Sequence, residues 1–169
     1  MKPIATKRVT DVIDQINAAF GEAEPPAIVV DTSRPPITDR QDAEAISQRP
    51  RAELDWAFLQ GHADALYAMT PAGFKYYLPR YLVLAVAPGA VTPLFVSPII
   101  QMLSPGPDES YWDQRFRDFW SGLRKLEYDA IKAWIVYMAE SGITGCDSFE
   151  LGRAFDTVAL LSDNAERGP

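Results

Sequence analysis

His62 is the only histidine of the 169-residue chain, so any mechanism that needs an imidazole base depends on it. Asp64 follows two positions later and completes the pair of candidate catalytic residues. On an ideal helix the two side chains point roughly 200° apart, so Asp64 can orient the ring only if Gly61 bends the chain. With that bend, the pair could serve a small hydrolase or transferase.

A structural role for His62 is the interpretation that the surrounding residues favour. His62 lies on an apolar stripe with Leu54, Phe58, Leu66 and Met69, at helical steps of four and three. A histidine in such a stripe is commonly buried and hydrogen-bonded to a carbonyl or a carboxylate. Both roles for His62 therefore stay open at the level of sequence.

The candidate binding residues follow on the next predicted helix. Tyr76 and Tyr77 belong to an aromatic segment, residues 74–81, that could form a ligand cage but more often forms a core with hydroxyls reaching the surface. Lys75 and Arg80 are the only bases in the middle third of the chain and flank these rings. Those two cations could meet an anion or an acidic partner.

Composition excludes several classes of function. Sixteen basic against 23 acidic residues give a net charge of −7, which argues against a nucleic-acid binder or a protein of anionic membrane surfaces. Even residues 108–129, where aromatics alternate with arginines, carry six acids against four bases. Cys146 stands alone and cannot form an internal disulfide, and no metal-ligand set or cofactor motif occurs. We expect neither metal nor cofactor.

The region from Tyr81 to Pro107 has no ionisable group after its first tyrosine, which raises the question of a transmembrane helix. Pro88, Pro93 and Pro98 interrupt it, so no uniform apolar helix of bilayer length remains. The N-terminal segment also lacks the apolar run of a secretory signal. The sequence thus predicts no membrane association and a cytoplasmic location.

Apolar spacing and capping signals recur along the chain and predict an all-α fold, a compact single-domain bundle of about seven helices, several of them short and started by proline. Strand alternation is nearly absent. The predicted segments are 11–20, 38–48, 52–69 with a possible break at Gly61, 71–88, 92–103, 110–123, 126–140, and a last helix that begins at the cap Ser148.

Residues 126–140 form the predicted central helix. Residues 133–139 are seven apolar residues in a row, which indicates a helix buried nearly all round, with Trp134 and Ile135 in the core. The remaining segments of the single domain, residues 1–169, include a proline-rich loop at 24–37 and a polar tail at 163–169.

Two neighbouring patterns resemble a known family. Residues 62–66 read H-x-D-A-L, and residues 70–82 read T-P-x-x-F-x-Y-Y-L-P-x-Y-L. In this order and spacing they resemble an uncharacterised family of small bacterial proteins, a domain of unknown function. The resemblance extends over residues 11–140 and implies a bacterial, cytosolic, helical protein. It assigns no reaction to the shared positions, which include His62, Asp64 and Pro79.

Two classes of function follow. We favour a small acidic module that binds or regulates another protein, in the manner of antitoxin or immunity proteins, and we lean against an enzyme. The acidic residues Asp108, Glu109, Glu127 and Asp129, with those of the last helix, would attract a basic protein partner. The alternative is a hydrolase or transferase that uses His62 with a nearby carboxylate or tyrosine.

Overall fold

The computed structural model describes residues 2–86, 91–142 and 144–168. Within this part of the chain the fold is all-α, as predicted, with eight α-helices and three short 3-10 helices and with no β-strand. The α-helices are α1 (Lys2–Phe20), α2 (Thr38–Ser47), α3 (Trp56–Gly61), α4 (Pro71–Val86), α5 (Val96–Met102), α6 (Gln114–Trp120), α7 (Lys125–Ser141) and α8 (Ser148–Arg167). The 3-10 helices are Arg51–Glu53, Ala65–Ala68 and Glu109–Tyr111.

Helix α7 is central, because it packs against α1, α4 and α8. Trp134 and Ile135 are buried as expected, and the Trp134 indole donates a hydrogen bond to the Leu82 carbonyl at 3.1 Å. The prediction of burial nearly all round is wrong. Val136 is 43% exposed and Ala139 is exposed, since three neighbouring helices leave one face of α7 to solvent.

Helix α1 is longer than predicted. Expected over residues 11–20 with Thr10 as its cap, it begins at Lys2. Val9 and Ile13 both pack against the core, so the apolar spacing continues ahead of Thr10 and keeps the helix intact.

Helix α4 begins as predicted. The Thr70 hydroxyl accepts a hydrogen bond from the Gly73 amide at 3.0 Å, and Pro71 is the first helical residue. Pro79 lies inside the helix, which runs through it to Val86. The expected end at residues 88–89 lies outside the described residues.

The long helix predicted over residues 52–69 does not form. Its first part is a 3-10 turn, and extended backbone at Leu54 then separates this turn from α3. Asp55 restarts the helix as an N-cap, since its carboxylate accepts from the Phe58 amide at 2.8 Å. Helix α3 ends at Gly61, where the sequence allowed a break.

The segment predicted as a loop at 24–37 has one β-bridge, which joins Val30 to Met69 in antiparallel sense. The Asp31 amide donates to the Ala68 carbonyl and the Thr70 amide donates to the Val29 carbonyl, both at 2.8 Å. The bridge partner, Met69, is a single extended residue before α4, so the sequence contains no strand pattern there.

Three other helices start or end at unexpected residues. Helix α6 starts at Gln114 rather than near Ser110, because Asp113 caps it. Helix α5 starts at Val96, four residues beyond the predicted start at Thr92. Asp147, not Ser148, caps α8 in a capping box with Glu150.

The predicted polar tail is helical through residue 167. Polar contacts hold it: Asn164 donates to the Glu109 carboxylate at 2.7 Å, and Glu166 lies 2.8 Å from the Lys125 ammonium. Within the described residues, each helix is too short or too polar to cross a lipid bilayer.

Candidate functional site

The His62 ring is held by its own helix. It follows the last residue of α3, and its Nδ1 lies 2.8 Å from the Phe58 carbonyl oxygen. Because a carbonyl only accepts, Nδ1 carries the hydrogen and Nε2 is left as the basic nitrogen. The ring also stacks on the Phe58 ring with centroids 4.3 Å apart. The hydrogen bond to a carbonyl that a structural role for His62 predicts is thus present, and the side chain is partly buried.

A partly buried carboxylate lies beside this pair: Asp42 of α2, which no sequence pattern indicated. Its Oδ2 accepts from the Asp64 amide at 3.2 Å, and its charge interacts with His62. Burial raises the pKa of Asp42, and the hydrogen bond from Asp64 opposes that rise. Within the described chain, no hydrogen bond joins the side chains of His62 and Asp64. The only local signal was the position of Asp42 next to the apolar stripe of α2.

Tyr81 points its hydroxyl into the core. The ring is fully buried and packs edge-on against Phe95. Among the described residues the hydroxyl has no hydrogen-bond partner. Burial raises the pKa of Tyr81, with a smaller contribution from the charge of Asp42. This hydroxyl is therefore held neutral.

Tyr76 and Tyr77 fasten the segment after α2 to α4. The Tyr77 hydroxyl donates to the Arg49 carbonyl at 2.8 Å, and burial raises the pKa of Tyr77 to about 12. Tyr76 is 8% exposed, and the Arg51 guanidinium lies 5.0 Å from the centre of its ring. Both rings are packed against protein atoms rather than open to form a cage.

Lys75 and Arg80 leave α4 in different directions, as expected for residues five positions apart on a helix. Lys75 is half-buried near Asp118 and Glu127, and burial lowers the pKa of its ammonium. Arg80 donates two hydrogen bonds to the Leu54 carbonyl, at 3.0 and 2.7 Å. The predicted binding residues therefore lie around α4 and do not converge on one pocket.

Some of the acidic residues that suggested a basic partner lie around the C-terminal end of α8. Hydrogen bonding joins Glu109 to Asn164, and Lys125 bridges Asp129 and Glu166 at 3.8 and 2.8 Å. The charges of Asp129, Asp163 and Glu166 all favour the protonated amine of Lys125, and the Glu166 hydrogen bond is the largest cause of its raised pKa. We call this region the α8-end surface; its carboxylates are Asp108, Glu109, Asp129, Asp163 and Glu166.

Glu127 does not belong to that surface. Its carboxylate accepts from the Arg124 amide at 2.6 Å in the capping box of α7 and pairs with the Arg124 side chain at 3.2 Å. The side chain is 13% exposed. Glu127 thus caps the start of α7, and little of its side chain is accessible to a partner protein.

Two large exposed side chains belong to the segments that carry the carboxylates of the α8-end surface. Tyr111 is 70% exposed and Leu126 is 64% exposed. Tyr111 ends the 3-10 helix that carries Glu109, and Leu126 follows Lys125 at the start of α7. The surface therefore combines acidic groups with apolar groups that water covers in the free protein.

Four clefts formed by described residues lie away from His62. The clefts found beside α1, the 25–30 segment, α5 and the start of α8 have other residues in their linings. Over the described residues, no group of three or more His, Cys, Asp and Glu side chains could hold a metal ion.

Comparison of the chain with models of protein families, with curated proteins and with solved structures finds no match. The resemblance of residues 62–66 and 70–82 to a bacterial family thus stays a prediction.

Proposed function

We propose that the protein is a small cytosolic module that binds a basic protein partner through the α8-end surface. One observation carries the proposal. Carboxylates from the 108–109 turn, from α7 and from α8 all lie around the last turns of α8, where Glu109 bonds to Asn164 and Lys125 joins Asp129 to Glu166. Exposed Tyr111 and Leu126 belong to the same segments.

The charge balance of that surface favours a cationic partner. Its five carboxylates face four cations: Lys125, Lys132, Arg167 at the end of α8, and Arg117, whose guanidinium donates to the Glu109 carbonyl at 3.0 Å. Lys125 and Lys132 are engaged in pairs, at 2.8 Å with Glu166 and 2.9 Å with Asp129. The remaining negative charge would speed the encounter with a basic protein, since charge complementarity acts mainly on the association rate.

The exposed side chains of Tyr111 and Leu126 add apolar contact area to the charged groups. Tyrosine is enriched at interface hot spots, because it buries a large rigid area at small entropic cost. Tyr111 is therefore the expected anchor, with Leu126 beside it. Binding there would regulate or neutralise the partner, as antitoxin and immunity proteins do.

The test begins with co-purification of the tagged full-length chain from its native host. A stoichiometric basic protein is expected. Its association is then measured with Asp163→Asn/Glu166→Gln and with the matched control Asp11→Asn/Asp14→Asn, which removes two exposed charges from α1. We expect the first pair to slow association by about tenfold at 50 mM salt and the control to leave it unchanged.

Two further measurements test how binding depends on salt concentration and on Tyr111. Raising salt from about 50 to 500 mM should weaken binding of the unaltered chain, because exposed charges are screened beyond roughly 10 Å at 0.1 M. Tyr111→Ala should speed dissociation. Equal association by both double variants, or binding that is insensitive to salt, would reject the α8-end surface as the site.

A second candidate function, a small hydrolase or transferase, is favoured by the arrangement around His62. The bond to the Phe58 carbonyl leaves Nε2 basic, and Asp42 lies close enough for its charge to act on the ring. In that case His62→Ala should abolish turnover in a substrate screen while the melting temperature stays almost unchanged. Loss of folding in the same variant would show a structural role instead.

A further inference from the structure

A cleft lies between the end of α1, the 51–53 turn and the middle of α4. Its volume is about 350 Å³, and its walls include Phe20, Arg51, Pro79, Arg80 and Val83. Pockets for small molecules commonly have volumes of roughly 300–1,000 Å³, so the cleft is large enough for a small ligand. It shares no residue with the α8-end surface.

The chain fixes Arg51 on one wall of this cleft. Its guanidinium donates to the Tyr76 carbonyl at 3.0 Å and to the Gly21 carbonyl just beyond the end of α1. The Tyr76 ring lies beneath it, 5.0 Å from the guanidinium carbon. These contacts hold the group in one orientation without neutralising it.

Arg80 is held in a similar way on the opposite element. Its Nε and Nη2 both donate to the Leu54 carbonyl. A guanidinium has five N–H groups, so each arginine keeps donors beyond the two that it uses. Within the described chain, neither Arg51 nor Arg80 forms an ion pair with a carboxylate.

We infer that this cleft binds a small organic anion, with a carboxylate or phosphate group at Arg51 and Arg80 and an apolar body against Phe20, Pro79 and Val83. A guanidinium group held in a fixed orientation can donate two parallel hydrogen bonds to the oxygens of a carboxylate or phosphate, and this cleft has two such groups. Because the protein already holds both groups in place, binding costs little side-chain entropy.

Glu22 is the acidic residue in the lining of the same cleft, and it is exposed. Its charge opposes an anion in the cleft. Replacing Glu22 with Gln should therefore tighten anion binding. Binding of a neutral ligand to a purely apolar pocket would change little on the same substitution.

The first measurement uses phenyl phosphate and benzoate as probes and phenol as the neutral control, titrated into the ¹⁵N-labelled full chain. We expect both anions to shift the Nε–Hε signals of Arg51 and Arg80, with phenol at least about tenfold weaker because charge-assisted hydrogen bonds are lost. Equal binding of phenol, or no shift at millimolar anion, would overturn the inference.

Variants then locate the site. Arg80→Gln should weaken phenyl phosphate about tenfold or more. Arg153→Gln is the matched control, since Arg153 also donates to two carbonyls, those of Ser104 and Pro105, but lines another cleft. It should leave binding unchanged.

Asn17→Trp keeps both arginines and places a bulky ring in the cleft from an exposed position of α1. It should block the anion even if Arg80→Gln fails to fold. Unchanged affinity in Asn17→Trp, or an equal loss in Arg153→Gln, would show that the two arginines only brace the end of α1.

Discussion

Tyr77 and Tyr81 occupy successive turns of α4 and differ in what their buried hydroxyls meet. Tyr77 donates to the Arg49 carbonyl, whereas the Tyr81 hydroxyl has no partner among the described residues. A buried polar group without a partner destabilises the native state, while a paired one does not. The difference between these two residues can be measured directly.

Tyr77→Phe should lower the free energy of unfolding by about 1–3 kcal/mol, because the Arg49 carbonyl loses its donor. Tyr81→Phe removes an unpaired hydroxyl and should leave the free energy unchanged or raise it by up to about 1 kcal/mol. Urea unfolding followed by far-UV circular dichroism gives both values. A larger loss in Tyr81→Phe than in Tyr77→Phe would mean that the Tyr81 hydroxyl is paired.

At the level of elements, the first turn of α4 depends on close contact with the 24–37 segment. A Cβ atom at Gly73 would lie 2.6 Å from the Val29 carbonyl oxygen, which belongs to the backbone and cannot rotate away. The same backbone accepts the hydrogen bond from Thr70. Glycine at position 73 therefore allows α4 and the bridged segment to meet.

Gly73→Ala should destabilise the protein by roughly 1–3 kcal/mol through overpacking, although alanine is the better helix former by about 1 kcal/mol. Gly152→Ala is the matched control, because a Cβ atom on that helical glycine meets nothing within 4 Å. The control should gain about 1 kcal/mol from helix propensity alone. Chemical denaturation of both variants tests the contact, and equal effects would contradict it.

For the whole molecule, stability is concentrated around α7. Trp134→Ala should cost roughly 3–5 kcal/mol through the cavity that it leaves, since the indole is completely buried among α1, α4 and α8. Val136→Ala, on the exposed face of the same helix, should stay within about 0.5 kcal/mol of the unaltered protein. A loss below about 1 kcal/mol for Trp134→Ala, measured by urea unfolding, would place the centre of the fold elsewhere.

Local interactions made much of the fold predictable. Thr70 and Pro71 start α4, and the apolar run at 133–139 marks the central helix, because capping and helical periodicity act within a few residues. The same rules placed other boundaries wrongly. Thr10 and Ser148 resemble caps, but neither is used: Val9 continues the stripe of α1, and Asp147 is the stronger acceptor at α8.

The candidate sites depended on contacts between distant parts of the chain. The sequence identified His62, Arg80 and the acidic clusters by residue type, but it did not place Asp42 near His62 or Arg51 in the same cleft as Arg80. Glu109 meets Asn164 across 55 positions. Such pairs form only when helices pack together. The relative placement of the helices depends on many apolar contacts between distant residues, which local sequence patterns do not reveal. Sequence alone therefore determined the helical class and the position of the central helix, while the tertiary structure decided how far that helix is buried and which charges lie near one another.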